Sequence, residues 1–116
     1  MNPPMDFIEL ESFGDTLTIR PLANLSEFQY EHIENSVGQV LTMLANSTIC
    51  NVVVDFRRTS YFGSSAVEAL IRIGQEVRRR GGTMTLENLT KSEREVLEIL
   101  HIGKLWTIRE STSELP

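Results

Sequence analysis

The stretch NVVVDFRRTSYFGSSAVEALIRIGQEVRRR, residues 51–80, decides the fold of this chain. It opens with three valines, a β-branched run suited to a buried strand, and we expect Val53 among the buried core residues. After a polar loop the apolar positions recur at helical spacing. A strand therefore leads through a loop to an amphipathic helix, and the loop delivers Ser64 and Ser65 to the first helical turn. In open α/β sheets the loops at the carboxyl ends of the strands usually carry the functional site.

The polar side of this helix carries candidate contact residues. Glu68 and Arg72 are four residues apart, a spacing that predicts an exposed ion pair with little effect on stability. Ile71 projects beside Ser64 at the border of this side. An apolar side chain there is either a contact anchor for a partner or is shielded by a neighbouring loop.

The periodicity of the remaining chain predicts a single α/β domain over residues 1–116, with flexible ends at 1–5 and 110–116. Alternating or β-branched runs predict further strands near residues 7–10, 16–22, 83–86 and 105–108. Helical spacing predicts two more helices, near 26–45 and 90–103, each preceded by a capping-box pattern. The order β-β-α-β-α-β-α-β implies a four- to five-stranded mixed sheet with a leading hairpin and three packed helices.

Composition and charge exclude several functional classes. The net charge is −5 and the pI is about 5.0, whereas a nucleic-acid-binding face is basic. No apolar run approaches the ~20 residues of a membrane span, and no signal peptide is evident, so we expect no membrane partner. Cys50 is the single cysteine of the sequence, which fits a reducing, cytoplasmic setting.

The sequence contains no recognisable catalytic or metal-binding motif. His32 and His101 stand far apart and neither has a ligand-like neighbour, so we expect no metal site and no cofactor. The residues around the serine pair do not form a Gly-x-Ser-x-Gly motif, and neither of the glycine-rich phosphate-binding motifs occurs. We therefore predict that the protein is not an enzyme.

The serine pair supports two interpretations. A serine at a helix start can be an N-cap, because its side-chain oxygen accepts a hydrogen bond from an unpaired backbone N–H. A phosphoserine would also be accommodated there, since the helix N-terminus offers free N–H groups and the positive end of the dipole. The residues alone leave both the cap and the phosphorylation switch open.

The chain resembles the STAS domain family, which comprises bacterial anti-sigma factor antagonists and related signalling modules. The resemblance rests on VVVDF at 52–56, YFGSSAV at 61–67 and the ending VLEILHIGKLW at 96–106. In the family a hydrophobic strand ending in Asp is followed by a loop that typically reads Asp-Ser-Ser/Thr-Gly-Leu. The resemblance covers almost the whole chain and implies a STAS-like fold.

By this resemblance Ser65 is the residue that a kinase phosphorylates, with Ser64 as the second choice and as the helix cap. The implied partner is an anti-sigma factor that is also a serine kinase. Unphosphorylated antagonist binds it and frees the sigma factor, and phosphorylation breaks the complex. The loop before the first helix usually contributes to this interface. The implied partner-binding residues are Asn24, Ser26, Gly63, Ser64, Ser65, Glu68, Ile71 and Arg72.

The sequence departs from the family pattern at four places. Gly63 replaces the acidic residue before the serine pair, Ala66 and His101 replace glycines, and Ser26 replaces an aspartate. The missing acidic charge affects recognition by a kinase rather than the fold. It favours an alternative function, a constitutive scaffold subunit that is not phosphorylated, whereas the retained serine pair favours the switch. A weaker alternative is a small-ligand or nucleotide-binding domain. We expect a monomer or a weak homodimer.

Overall fold

The computed structural model describes residues 8–22, 30–45, 47–59, 64–99 and 106–109, without the side chains of residues 30–32 and 64. The predicted order β-β-α-β-α-β-α-β is confirmed, and the predicted flexible ends lie outside the described residues. The elements are β1 (Ile8–Phe13), β2 (Thr16–Pro21), α1 (Tyr30–Ala45), β3 (Asn51–Asp55), α2 (Ser64–Arg79), β4 (Met84–Glu87), α3 (Lys91–Ile99) and β5 (Thr107–Arg109).

The five strands lie side by side in chain order. The β1–β2 hairpin is antiparallel and turns at Gly14, whose φ of +63° suits glycine, and each later pair of strands is parallel. The mixed sheet with its leading hairpin is therefore confirmed. From β2 to β5 every crossover advances in the same direction. Because such crossovers are right-handed, α1, α2 and α3 lie on one face of the sheet.

The hydrophobic core lies between this face and the helices. Alternate residues of the three central strands are buried, as are the apolar stripes of α1 and α2. The buried strand residues are Leu17, Ile19, Val52, Val54, Met84 and Leu86. The buried helix residues include Ile33, Val37, Val40 and Leu44 of α1 and Ala66, Leu70, Ile73 and Val77 of α2.

Val53 does not belong to this core, and the prediction that it does was wrong. Its side chain is half-buried, whereas Val52 and Val54 are buried. Three consecutive valines suggested a strand that is covered on both faces. The helices cover one face, so the strand alternation turns Val53 to the other.

Helix α2 is closed at its C-terminus by a backbone motif formed by Gly81 and Gly82. Gly81 has a φ of +80°, its N–H donates to the carbonyl of Arg78, and the N–H of Gly82 donates to the carbonyl of Val77, both at 3.0 Å. This is a Schellman motif. A Cβ at Gly82 would lie 1.7 Å from the carbonyl oxygen of Cys50, so the chain approaches too closely there for any side chain.

Candidate partner-binding site

The first turn of α2 carries the serine pair, as the sequence predicted. The helix begins at Ser64, and the side chain of Ser65 is half-buried. The side chain of Ser64 lies outside the described residues, so its role as a cap stays a prediction. Asn24, Ser26 and Gly63 also lie outside them, and their contacts with a partner stay predictions as well.

Ser65, Glu68 and Arg72 share one side of α2, and we call these three residues the α2 stripe. Positions i, i+3 and i+7 project within about 60° of one another and span about 10 Å along the axis. Glu68 and Arg72 are both exposed, as predicted. The stripe therefore presents a hydroxyl, a carboxylate and a guanidinium without being part of the core.

The ion pair predicted between Glu68 and Arg72 does not form. The Nη2 of Arg72 instead lies 2.5 Å from Oε2 of Glu34 on α1. A pair of the same spacing does form further along the helix, where Nε of Arg80 lies 2.7 Å from Oε2 of Glu76. The difference arises because α1 packs beside α2 and offers a carboxylate across the groove between the helices. The α2 stripe is thus linked to α1.

Ile71 is partly buried and packs against the core cluster. The sequence left open whether this side chain is a contact anchor or is shielded. The structure shows intramolecular packing, with part of the side chain still accessible. A role in partner binding would therefore add to its packing role.

Asp55 connects three elements at the carboxyl ends of the strands. Its side chain is 1% exposed and accepts hydrogen bonds from Nε of Arg20 at 3.0 Å and Nδ2 of Asn88 at 2.7 Å. Arg57 contributes its backbone N–H at 3.0 Å and its Nε at 2.8 Å. Asn88 adopts a φ of +63°, a conformation that asparagine tolerates better than most residues. Asp55 thereby holds the first residues of the loop that leads to α2.

The hydrogen-bond partners of Asp55 determine the direction in which its pKa shifts. Burial by itself raises the pKa of this carboxyl group. The hydrogen bonds from Asn88 and Arg20, followed by those from Arg57, outweigh burial and lower the pKa below its ordinary value. Asp55 is therefore a charged residue at neutral pH, and its charge is compensated within the protein.

A second buried carboxyl group, Glu93, holds the same loop at Thr59. Glu93 is 2% exposed and lies in the first turn of α3, with Oε2 3.2 Å from the hydroxyl of Thr59. It forms the predicted capping box with Thr90, since each residue accepts a hydrogen bond from the backbone N–H of the other, at 2.9 and 3.1 Å. Helix α3 is thus tied to the loop at a position five residues before α2 begins at Ser64.

Burial raises the pKa of Glu93, because desolvation outweighs the hydrogen bonds from Thr90 and Thr59. The hydroxyl of Thr59 also lies 3.3 Å from the carbonyl oxygen of Phe56. This hydroxyl has one proton and cannot donate to both oxygens at once. A protonated Glu93 can donate to Thr59 while Thr59 donates to Phe56, so both acceptors are then satisfied.

An apolar cavity of about 60 Å³ lies between α1, α2 and the sheet. Ala66, just after the serine pair, is part of its wall, and Ser36 is its one polar lining residue. Ligand pockets usually measure about 300–1,000 Å³ and contain polar groups that orient the ligand. This cavity is too small and too apolar for a nucleotide. Within the described ranges there is no cluster of His, Cys, Asp or Glu that could hold a metal ion.

Sequence reasoning did not assign Arg20, Asn88, Thr59 or Glu93 to the site. The capping-box pattern identified Glu93 as a local helix signal. No pattern indicated that its carboxyl group reaches Thr59, because the two residues are 34 positions apart. Arg20 and Asn88 are likewise brought to Asp55 by strand pairing. Among the described helices, none is both long enough and apolar enough to cross a membrane.

Comparisons with known proteins agree with this architecture. A model of the STAS domain family matches residues 7–115. The structure of the anti-sigma factor antagonist SpoIIAA in its unphosphorylated form gives a TM-score of 0.73 at 20% identity, covering 92% of this chain and 91% of that chain. The phosphorylated form of SpoIIAA, from Bacillus, gives 0.71 at 21% identity, covering 92% and 93%.

An anti-sigma-factor antagonist (STAS) domain protein from Planctomyces limnophilus gives a TM-score of 0.64 at 23% identity, with 92% of each chain covered. At identities this low, the structural likeness shows that the fold is shared and nothing more. A comparison with curated proteins gave no match.

Proposed function

The chain belongs to the STAS domain family, and on this premise we propose that it is a non-enzymatic partner-switching module of the anti-sigma factor antagonist type. In its unphosphorylated form it binds an anti-sigma factor that is also a serine kinase. Phosphorylation of Ser65 releases that partner. The observation that carries the proposal is the α2 stripe, which places a partly accessible serine beside two exposed charged residues.

The position of Ser65 suits a switch that leaves the fold intact. A phosphate there adds a charge of about −1.5 to −2 near the free N–H groups and the positive end of α2. The same charge opposes a docked partner, because binding would have to remove water from it. Neither charged residue of the α2 stripe is available to neutralise the phosphate, because Glu68 is itself negative and Arg72 is already paired with Glu34. Phosphorylation thus affects binding much more than folding.

The two alternative functions differ in their support. The small apolar cavity argues against a nucleotide-binding domain in the described part of the chain. A constitutive scaffold subunit is supported by Gly63, which removes the acidic residue that the family places before its serines. The switch and the scaffold make opposite predictions about phosphorylation. Either protein would function in the cytoplasm, where the single Cys50 stays reduced.

Incubation with the cognate kinase and ATP distinguishes the switch from the scaffold. The products are analysed by intact-mass measurement and peptide mapping. We expect one phosphate, located on Ser65, that is absent from a Ser65→Ala variant and retained in a Ser64→Ala variant. The phosphorylated protein and Ser65→Asp should bind the anti-sigma factor more weakly in calorimetry, at a melting temperature near that of the parent. Gly63→Asp should be phosphorylated faster.

Phosphate on Ser64 alone contradicts the assignment of Ser65. Absence of phosphate from both serines, under conditions in which the same kinase modifies a related antagonist, favours the scaffold.

A further inference from the structure

The face of the sheet opposite the helices is covered by no described element, and we call it the open face. Thr18, Val53 and Thr85 on this face are half-buried, although the residues before them in β2 and β3, Leu17 and Val52, are 0% exposed. Strands β2 to β5 pair in parallel, and parallel strands usually have both faces covered. The open face is thus a surface suited to a docked partner.

Each of the five strands contributes one charged residue to a row across the open face. The row reads Glu9, Arg20, Asp55, Glu87 and Arg109 from β1 to β5. Strand register sets Glu9 beside Arg20, Asp55 beside Glu87, and Glu87 beside Arg109. The side chains pair within the chain, at 2.8 Å for Glu9–Arg20, 3.0 Å for Arg20–Asp55 and 2.5 Å for Glu87–Arg109.

We propose that the open face binds the open face of a second copy of this chain. A two-fold axis that runs parallel to the strands along β3 lays one charge row on the other with the strand order reversed. Glu9 of each copy then faces Arg109 of the other, and Arg20 faces Glu87. The central Asp55 meets its own copy, but it is 1% exposed and neutralised by its own Arg20 and Arg57.

The order of the charges also selects this orientation. The alternative two-fold axis runs along the row, perpendicular to the strands and midway between the two sheets. It would lay Glu9 on Glu9 and Arg20 on Arg20. Like charges brought face to face cost several kcal/mol. The row is therefore complementary to itself when β1 of one copy lies over β5 of the other, and repulsive when each strand lies over its own copy.

The centre of the face provides the apolar contact. Thr18, Val53 and Thr85 are in register in the row next to the charges, and Val53 lies nearest the proposed axis. Two such surfaces can pack at the usual sheet-to-sheet distance of about 10 Å. The dimer would bury Val53, which is half-buried in the single chain.

The size of the face predicts a weak dimer. Five strands spaced about 4.8 Å apart, each about five residues long, give a face of about 24 by 17 Å. Two copies would bury about 800 Å² in total, below the ~1,200 Å² of the smallest stable interfaces of standard size. The helices lie on the opposite side of the sheet, so both α2 stripes of the dimer remain accessible to a partner. This proposal does not depend on the proposed function.

Sedimentation velocity over a concentration series tests the proposal. We expect a monomer at about 10 µM and a dimer approaching half of the protein at about 1 mM. An ionic strength of about 0.15 M shortens the Debye length to about 8 Å and thereby screens the net charge of −5 on each copy. A protein that stays monomeric at about 1 mM overturns the proposal.

Charge reversals at the outer ends of the row test the orientation. Glu9→Arg and Arg109→Glu are each expected to weaken the dimer about tenfold or more, because both place like charges face to face twice. The double variant Glu9→Arg/Arg109→Glu restores opposite charges between copies and should recover dimerisation. Both parent residues are more than half exposed, with 57% and 58% of the side chain accessible. These variants should therefore fold, which melting curves verify.

Two further variants complete the test. Val53→Arg should abolish the dimer, and Glu95→Arg, an exposed residue of α3 on the helix side, should leave it unchanged. A dimer that resists the charge reversals, or that Glu95→Arg weakens as much as they do, would use another face and would overturn the proposal. Failure of the double variant to recover would overturn the proposed axis.

Discussion

The two faces of the sheet are built by the same strands, but their side chains are buried to different extents. Toward the helices β3 presents Val52, which is 0% exposed, and toward the open face it presents Val53, which is half-buried. The two residues are identical and adjacent. Their burial differs because every crossover from β2 to β5 is right-handed and advances in one direction, which brings all three helices to one face. Connectivity, rather than residue type, decides which valine is in the core.

The buried carboxyl groups extend this comparison. Asp55 belongs to the open face and Glu93 to a helix on the covered side, and each is at most 2% exposed. Asp55 has two arginine partners and an amide, so its pKa falls. The described partners of Glu93 are hydroxyl and backbone groups, so burial raises its pKa. Because the two groups are buried to nearly the same extent, the chemistry of their partners decides the direction in which each pKa shifts.

The largest effect is expected for aspartate in place of the two neighbouring valines. Val52→Asp buries an unpaired charge in the core and should cost more than about 4 kcal/mol of the free energy of unfolding. Val53→Asp places the charge on the open face, and we expect a loss of about 1–2 kcal/mol. Chemical denaturation of both variants at low protein concentration measures the difference. Equal losses would show that both faces are covered.

Removal of Asp55 should have the next largest effect. Asp55→Ala leaves Arg20, Arg57 and Asn88 without their shared acceptor, and we expect a loss of about 3 kcal/mol. Asp55→Asn keeps the shape and one acceptor oxygen and should lose less. Thermal and urea unfolding at pH 7 would check both variants. An alanine variant as stable as the parent would mean that the ion pairs do not hold the carboxyl ends of the strands together.

The pH dependence of this loss has a defined sign. The pKa of Asp55 is lower in the folded protein than in the unfolded chain, where it is about 3.9. Its stabilising effect is therefore complete above about pH 4 and is lost as the pH falls through the folded-state value. The stability difference between the parent and Asp55→Asn should shrink below about pH 4.

Glu93→Gln should have the opposite pH behaviour and a smaller effect. The pKa of Glu93 is raised in the folded protein, so its contribution is greatest below the unfolded value of about 4.3 and is lost as the pH rises through the folded value. Glutamine can accept from the N–H of Thr90 and donate to the hydroxyl of Thr59 at every pH. The variant should therefore become more stable relative to the parent as the pH rises from about 4 to about 8.

Glu93→Ala provides the matched control. It removes the capping box and should lose about 1 kcal/mol or more. Glu93→Gln could instead lose as much stability at pH 7 as Glu93→Ala. Such a result would mean that this position requires an ionised carboxylate, which contradicts the raised pKa of Glu93.

The smallest effect on stability is expected for the α2 stripe. Reversal of both charges, Glu68→Lys with Arg72→Glu, breaks the exposed pair with Glu34 and should cost less than about 1 kcal/mol. If the proposed function is correct, binding to the anti-sigma factor should weaken much more than stability. Calorimetry and melting curves on the same sample compare the two. Unchanged affinity would place the partner surface elsewhere.

Local sequence determined several features without any tertiary information. The capping box of Thr90 and Glu93 and the Schellman motif at Gly81 and Gly82 were both predictable, because each joins residues within five positions of one another. The order of elements and the start of α2 at the serine pair followed from periodicity. This local information was sufficient to place Ser65 at a helix N-terminus and Glu68 and Arg72 on its exposed side.

Tertiary structure alone decided the rest of the site. Arg72 pairs with Glu34 rather than Glu68, Asp55 joins Arg20 to Asn88, and Val53 faces away from the core. Each of these outcomes links residues more than 30 positions apart or depends on which face the helices cover. Spacing along one helix or strand carries no information about such neighbours. They are set by strand register and by the hand of the crossovers, which exist once the whole chain has folded.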